Sequence, residues 1–144
     1  MANQIISQPK KITFDDIKVV EDSLGFNLPE SLKSFLILYN GADFRSKWLY
    51  LRGFDLKQKE LCIYVHIEDF IATDEYVKVW GFTKDILNEF NLFPVATVEG
   101  GMLICVSLES ADRGSVFYYS YDFDEIRICN SMLEFIDLLL ENSP

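Results

Sequence analysis

The chain has 144 residues, is 49% hydrophobic and 15% aromatic, and sets 23 aspartates and glutamates against 13 lysines and arginines for a net charge of −10. That length is near the commonest size of one domain and can bury a core without disulfides, metals or a permanent partner. A field of that sign repels phosphates and anionic lipid, which sets aside nucleic acid and membrane surfaces as partners and favours a basic one.

The charge is unevenly placed: residues 1–59 hold seven acids and nine bases, residues 60–144 sixteen acids and four bases, so the second part alone carries −12. At the amino terminus, Met1 to Lys11 places its lysines after Ile5 and Ile6 and has no long apolar stretch, the reverse of a secretory signal. This segment is expected to be loosely attached, with residues 12–144 forming a single domain and the protein remaining cytoplasmic. No run of about 18 apolar residues occurs, so no bilayer-spanning helix is expected.

Ile12-Thr13-Phe14-Asp15-Asp16-Ile17 reads as a helix start, with Thr13 as cap and two acids at the positive end; Phe14, Ile17, Val20 and Leu24 share a face, and Gly25 stops the helix. Pro29 suits the opening of a second helix, along which Leu32, Phe35, Leu36 and Tyr39 recur at helical spacing before Asn40-Gly41. Trp48 to Leu56 and Leu61 to Ile67 are rich in β-branched and aromatic residues and read as strands. Between Asp69 and Phe90 the pattern suggests two short helices, Asp74 to Trp80 and Thr83 to Phe90, broken at Gly81. Phe93 to Val98, Gly100-Gly101 and Met102 to Leu108 form a hairpin pattern. After a turn at Ser110 to Gly114, Ser115 to Tyr121 and Glu125 to Cys129 continue the sheet. Ser131-Met132-Leu133-Glu134 is a capping box opening a last helix, with Met132, Phe135, Ile136 and Leu139 as its buried stripe. The order predicts an α+β fold: a mostly antiparallel sheet of about five to six strands, with two N-terminal helices and one C-terminal helix packed against it.

Cys62, Cys105 and Cys129 are odd in number, lack any Cys-x-x-Cys pair and sit in strand-like surroundings, which reads as reduced, buried thiols with no metal. The lone histidine, His66, lies in Tyr64-Val65-His66-Ile67 and is expected to be a strand residue bonded to a neighbour. The motifs Gly-x-Ser-x-Gly, His-Glu-x-x-His, the phosphate-binding Gly-x-x-x-x-Gly-Lys and Gly-x-Gly-x-x-Gly are missing, so neither an enzyme nor a cofactor or small-molecule substrate is expected. The composition points instead to binding. Along Phe117 to Glu125 strand alternation places aromatics on both faces, with acids at the end, making Tyr119, Tyr121, Asp122, Asp124 and Glu125 candidates for partner contact. Glu68, Asp69, Asp74 and Glu75 form a second acidic candidate group.

The string from Ile17 to Gly41, IKVVEDSLGFNLPESLKSFLILYNG, resembles the opening of the SUKH superfamily: a helix ending in Leu-Gly, then Leu-Pro, then a helix closing in Tyr-Asn-Gly. Phe93-Pro94-Val95-Ala96, Gly100-Gly101, Gly114 to Tyr118 and Asn130 to Phe135 are similar to later motifs of the same superfamily, so the resemblance runs from about Ile12 to Glu141. It implies an immunity protein that binds and neutralises a cognate polymorphic bacterial toxin. The acidic surface would suit a basic toxin domain, a nuclease being one example, and the alternative is a regulatory or adaptor scaffold binding a host protein. The superfamily has no shared catalytic residues to transfer.

Overall fold

A computed structural model describes residues 5–7, 9–44, 48–54, 60–120 and 124–141. The first helix, α1 (Phe14–Leu24), opens with a reciprocal cap: the Thr13 hydroxyl accepts the Asp16 N–H, and the Asp16 carboxylate accepts the Thr13 N–H at 2.8 Å. Gly25, at φ +89°, closes it by donating its N–H to the Glu21 carbonyl. The inward stripe is Ile17, Val20, Glu21 and Leu24. Phe14 was expected on that face but is 59% exposed, because a first-turn residue has covered helical neighbours on one side only.

The second helix, α2 (Glu30–Tyr39), starts after Pro29 and buries Leu32, Phe35 and Leu36 as predicted. A buried carboxylate sets the elbow between the two helices. Glu21 is 4% exposed, accepts the Leu28 N–H at 2.6 Å and lies 3.1 Å from Lys33 Nζ. Burial opposes the charge on Lys33, but the bonds and charges of Glu21 and Glu30 outweigh it and hold the ammonium above the ordinary lysine value of 10.5.

Asn40 terminates α2 and joins three segments. Its side chain accepts the Thr73 N–H at 2.9 Å and donates to the Lys10 carbonyl, while its own carbonyl accepts the Lys10 N–H. Together with the pairing of β1 (Ile5–Ser7) and β2 (Asp43–Phe44), these bonds connect residues 5–7 and Lys10 to the rest of the chain.

The remaining strands are β3 (Trp48–Phe54), β4 (Glu60–Phe70), β5 (Leu92–Val98), β6 (Met102–Ser107), β7 (Val116–Ser120) and β8 (Asp124–Cys129). They form one antiparallel sheet in sequential order, curled so that β3 approaches β8. Strand alternation gives the sheet two faces. The main core lies on one face, where Leu49, Val65, Ile67, Ile104, Val106, Val116 and Tyr118 meet α1, α2 and the last helix, α4 (Met132–Glu141). Ser131 caps α4 by accepting the Glu134 N–H, and Met132, Phe135, Ile136 and Leu139 are buried as expected.

A smaller cluster on the other face gathers Leu92, Leu103, Cys105, Phe117 and Tyr119 under Leu87, Trp80 and Phe90. Those covering residues belong to α3 (Tyr76–Leu87) and the 3-10 turn that follows it. Here the structure departs from the expected pair of helices. Gly81 lies inside one continuous α3, facing open space, so it costs only helix propensity of about 1 kcal/mol, which the burial of Tyr76 and Leu87 offsets. Among the described residues no helix is long and apolar enough to cross a membrane.

Candidate functional site

The hairpin of β3 and β4 pairs Trp48 with His66 and Tyr50 with Tyr64 directly across the ladder. Leu49 and Val65, the residues between them, are buried in the main core, so alternation turns all four ring-bearing side chains to the opposite face. There the rings meet in pairs: Trp48 and His66 at a centroid distance of 4.6 Å, Tyr50 and Tyr64 at 4.9 Å. These pairs strengthen the hairpin without hiding it, since Trp48 is 52%, Tyr50 46% and Tyr64 74% exposed. Aromatic rings contribute the largest contact area per side chain and are the residues most enriched at binding hot spots.

Carboxylates border the rings. Glu60 and Glu68 lie on β4 at the same alternation as Tyr64 and His66 and are exposed. Glu99, in the turn after β5, donates its N–H to the His66 carbonyl and brings its carboxylate to 3.0 Å from His66 Nδ1. His66 is therefore the bonded strand residue that the sequence suggested. The next rung pairs Arg52 with Cys62, whose side chains lie outside the described residues.

The predicted contact residues divide into three groups. Glu68 sits at the bulge between Ile67 and Asp69 near the end of β4; both acids are exposed, and Glu68 joins the aromatic face. Asp74 and Glu75 fall in the 3-10 turn before α3, where Asp74 pairs with Lys10 at 3.1 Å, both groups well exposed. Glu125 stands opposite Tyr119 on β8 and is half-buried, and its charge reaches Cys105 on β6. Tyr119 itself is 5% exposed, with its ring 5.5 Å from Phe90, so in this conformation it belongs to the smaller cluster and not to the surface. Tyr121, Asp122 and the Asp124 side chain lie outside the described residues.

Along the sheet, Glu68 and Glu125 are separated by β5, β6 and β7, so the two predicted groups are not one continuous cluster through that route. Trp48, Tyr50 and Tyr64 are not among the contacts expected from sequence; their signal there is a pair of strand runs in which both alternating sets are apolar or aromatic, as they are in Phe117–Tyr121.

Cys105 and Cys129 are buried free thiols, as expected, and burial pushes Cys129 up to about 11 and Cys105 higher still. Two open grooves flank α1: one of about 550 Å³ between Leu24, Phe26, Trp80 and the end of α3, and one beside Glu21, Asp22 and Asn27. Neither includes His66. Among the described residues no group of three or more His, Cys, Asp or Glu side chains is disposed to hold a metal ion.

Two helices joined by a Leu-Pro elbow, a curled antiparallel meander and a closing helix define an α+β domain of the SUKH type. The family model for SMI1 / KNR4 (SUKH-1) matches residues 11–138, and the chain belongs to that family. The family's general role is toxin immunity or adaptor binding. No curated protein matches the chain.

Proposed function

We propose that this chain is an immunity protein that neutralises a cognate polymorphic toxin by stoichiometric, non-covalent binding through its acidic surface, acting in the cytoplasm and without catalysis. The observation that carries the reading is the placement of charge: −12 over residues 60–144, with Glu60, Glu68, Asp69 and Glu99 exposed beside exposed rings. Such a surface accelerates encounter with a basic domain, and a nuclease is basic wherever it grips phosphate. Binding by carboxylates that compete with phosphate would block such an enzyme either at its active site or beside it.

The test is to search the neighbouring genes for a large exported protein with a variable C-terminal domain and to co-express that domain with this chain. That domain alone should arrest growth, and this chain should restore it and form a complex whose affinity falls with added salt. Growth arrest that persists at matched expression would refute immunity. Recovery of a host protein in its place, in weaker exchange, would establish an adaptor.

A further inference from the structure

We propose that the ring face of β3 and β4 is the docking surface, and that its occupant is an arginine- or lysine-bearing segment of a protein, held by the faces of Trp48, Tyr50 and Tyr64 with the bordering carboxylates as counter-charges. The inference rests on the immunity reading for the partner's identity, not for the partner's chemistry. Three large rings exposed at 52%, 46% and 74% on one side of a single hairpin form an apolar surface that a sheet ordinarily covers. The rings are already ordered by cross-strand contact, Trp48 on His66 and Tyr50 on Tyr64, so little side-chain freedom is lost on binding.

Charge selects the occupant. Among the described side chains of this face, Glu60 and Glu68 share the alternation of the rings and Glu99 joins them from the turn after β5, with His66 as the basic group among them. A guanidinium or ammonium laid over a Trp or Tyr face gains from the ring quadrupole as well as from the carboxylates. Nucleic acid would set phosphates against these acids, and a second copy of this chain would set acid against acid. Both are disfavoured by the same field.

His66 has a positioning role here. Its ring lies between the Trp48 indole and the Glu99 carboxylate, fixing where the indole sits and where the nearest negative charge stands.

The experiment titrates the full chain with an arginine-rich peptide and with its citrulline counterpart, which has the same length without charge, reading tryptophan fluorescence in a Trp80→Phe background so that Trp48 alone reports. The arginine peptide should bind and the citrulline peptide should not. Trp48→Ala combined with Tyr64→Ala, followed by calorimetry, should weaken binding about tenfold or more, whereas Trp48→Phe with Tyr64→Phe, which keeps the ring faces, should stay within a few-fold of the parent. Phe82→Ala on α3, where the ring is 79% exposed, should change nothing.

Equal binding of the two peptides, or alanine variants that bind as the parent does, would overturn the proposal. So would a concentration-dependent dimer, seen by sedimentation, that Trp48→Ala abolishes, because a second copy would then be the occupant. Rescue from the toxin is scored separately: alanine variants that still rescue cells leave immunity standing and remove this face from it, and a parent that binds the arginine peptide but rescues nothing leaves the face standing and removes immunity.

Discussion

Removing the Glu21 carboxylate should be the most damaging single-residue change among the polar groups of α1. Glu21→Ala deprives the Leu28 N–H, on a residue that is 1% exposed, of its acceptor and leaves Lys33 Nζ without the carboxylate 3.1 Å away. Breaking a buried pair by deleting one partner costs roughly 3–5 kcal/mol. Lys33 is 15% exposed and keeps Glu30 at 3.3 Å, so the cost here should fall to about 2–3 kcal/mol, a large share of a typical total of ~5–15 kcal/mol. Glu21→Gln keeps an oxygen for the Leu28 N–H and loses only the charge, so about 1 kcal/mol is expected.

Equilibrium urea unfolding measures both. At a slope of ~2 kcal/mol/M, Glu21→Ala should lower the midpoint by about 1–1.5 M with the slope unchanged. Combining each variant with Lys33→Met closes a double-mutant cycle and isolates the ion pair from the Leu28 bond. The reasoning fails if Glu21→Ala leaves the midpoint in place, or if Glu21→Gln costs as much as Glu21→Ala, since the main-chain acceptor would then contribute nothing.

Asn40→Ala removes the acceptor of the Thr73 N–H and the donor to Lys10, and should cost about 1–3 kcal/mol by the same urea assay, with faster amide exchange at Thr73. Gly114→Ala must adopt φ +89° and drive its Cβ into Ser31 Oγ at the start of α2, so a loss of about 1–3 kcal/mol is expected, partly recovered by adding Ser31→Gly. Stability should also decline as pH rises from about 9 to 11. The unfolded chain releases the Cys129 proton near 9.0 while the folded chain, by burying the thiol, holds it to about 11, so deprotonation favours unfolding across that interval. Cys105, whose unfolded thiol also releases its proton near 9.0, adds to the loss over the same interval and beyond it, Tyr76 and Lys33, both raised, add to it at the alkaline end, and Cys129→Ala should reduce but not abolish the slope in unfolding curves taken pH by pH.

Much of the fold is local physics and was legible in residue order. The Thr13 and Ser131 caps, the Gly25 stop and the spacing of Leu32, Phe35 and Leu36 or of Met132, Phe135, Ile136 and Leu139 each act within a few residues, so sequence specifies them almost completely. Alternation likewise identified the strands, and the motif order identified the family that residues 11–138 then matched. Where propensity and packing conflicted, packing prevailed. Gly81 reads as a breaker, but α3 runs through it because Tyr76 and Leu87 bury on either side.

What the tertiary structure alone decided is which of two similar alternating strands keeps its aromatics in water. Tyr119 and Tyr64 look alike in sequence: each stands in a β-branched and aromatic run with acids close by. Tyr119 is covered because α3 and the turn after it lay Leu87 and Phe90 over β6 and β7. Tyr64 stays open because the covering residues belong to the β6–β7 side, leaving the ring 74% exposed. Burial of one sheet face against another element is a long-range choice. No local signal at Tyr64 or Tyr119 encodes it, and so the position of the ring face became visible only in three dimensions.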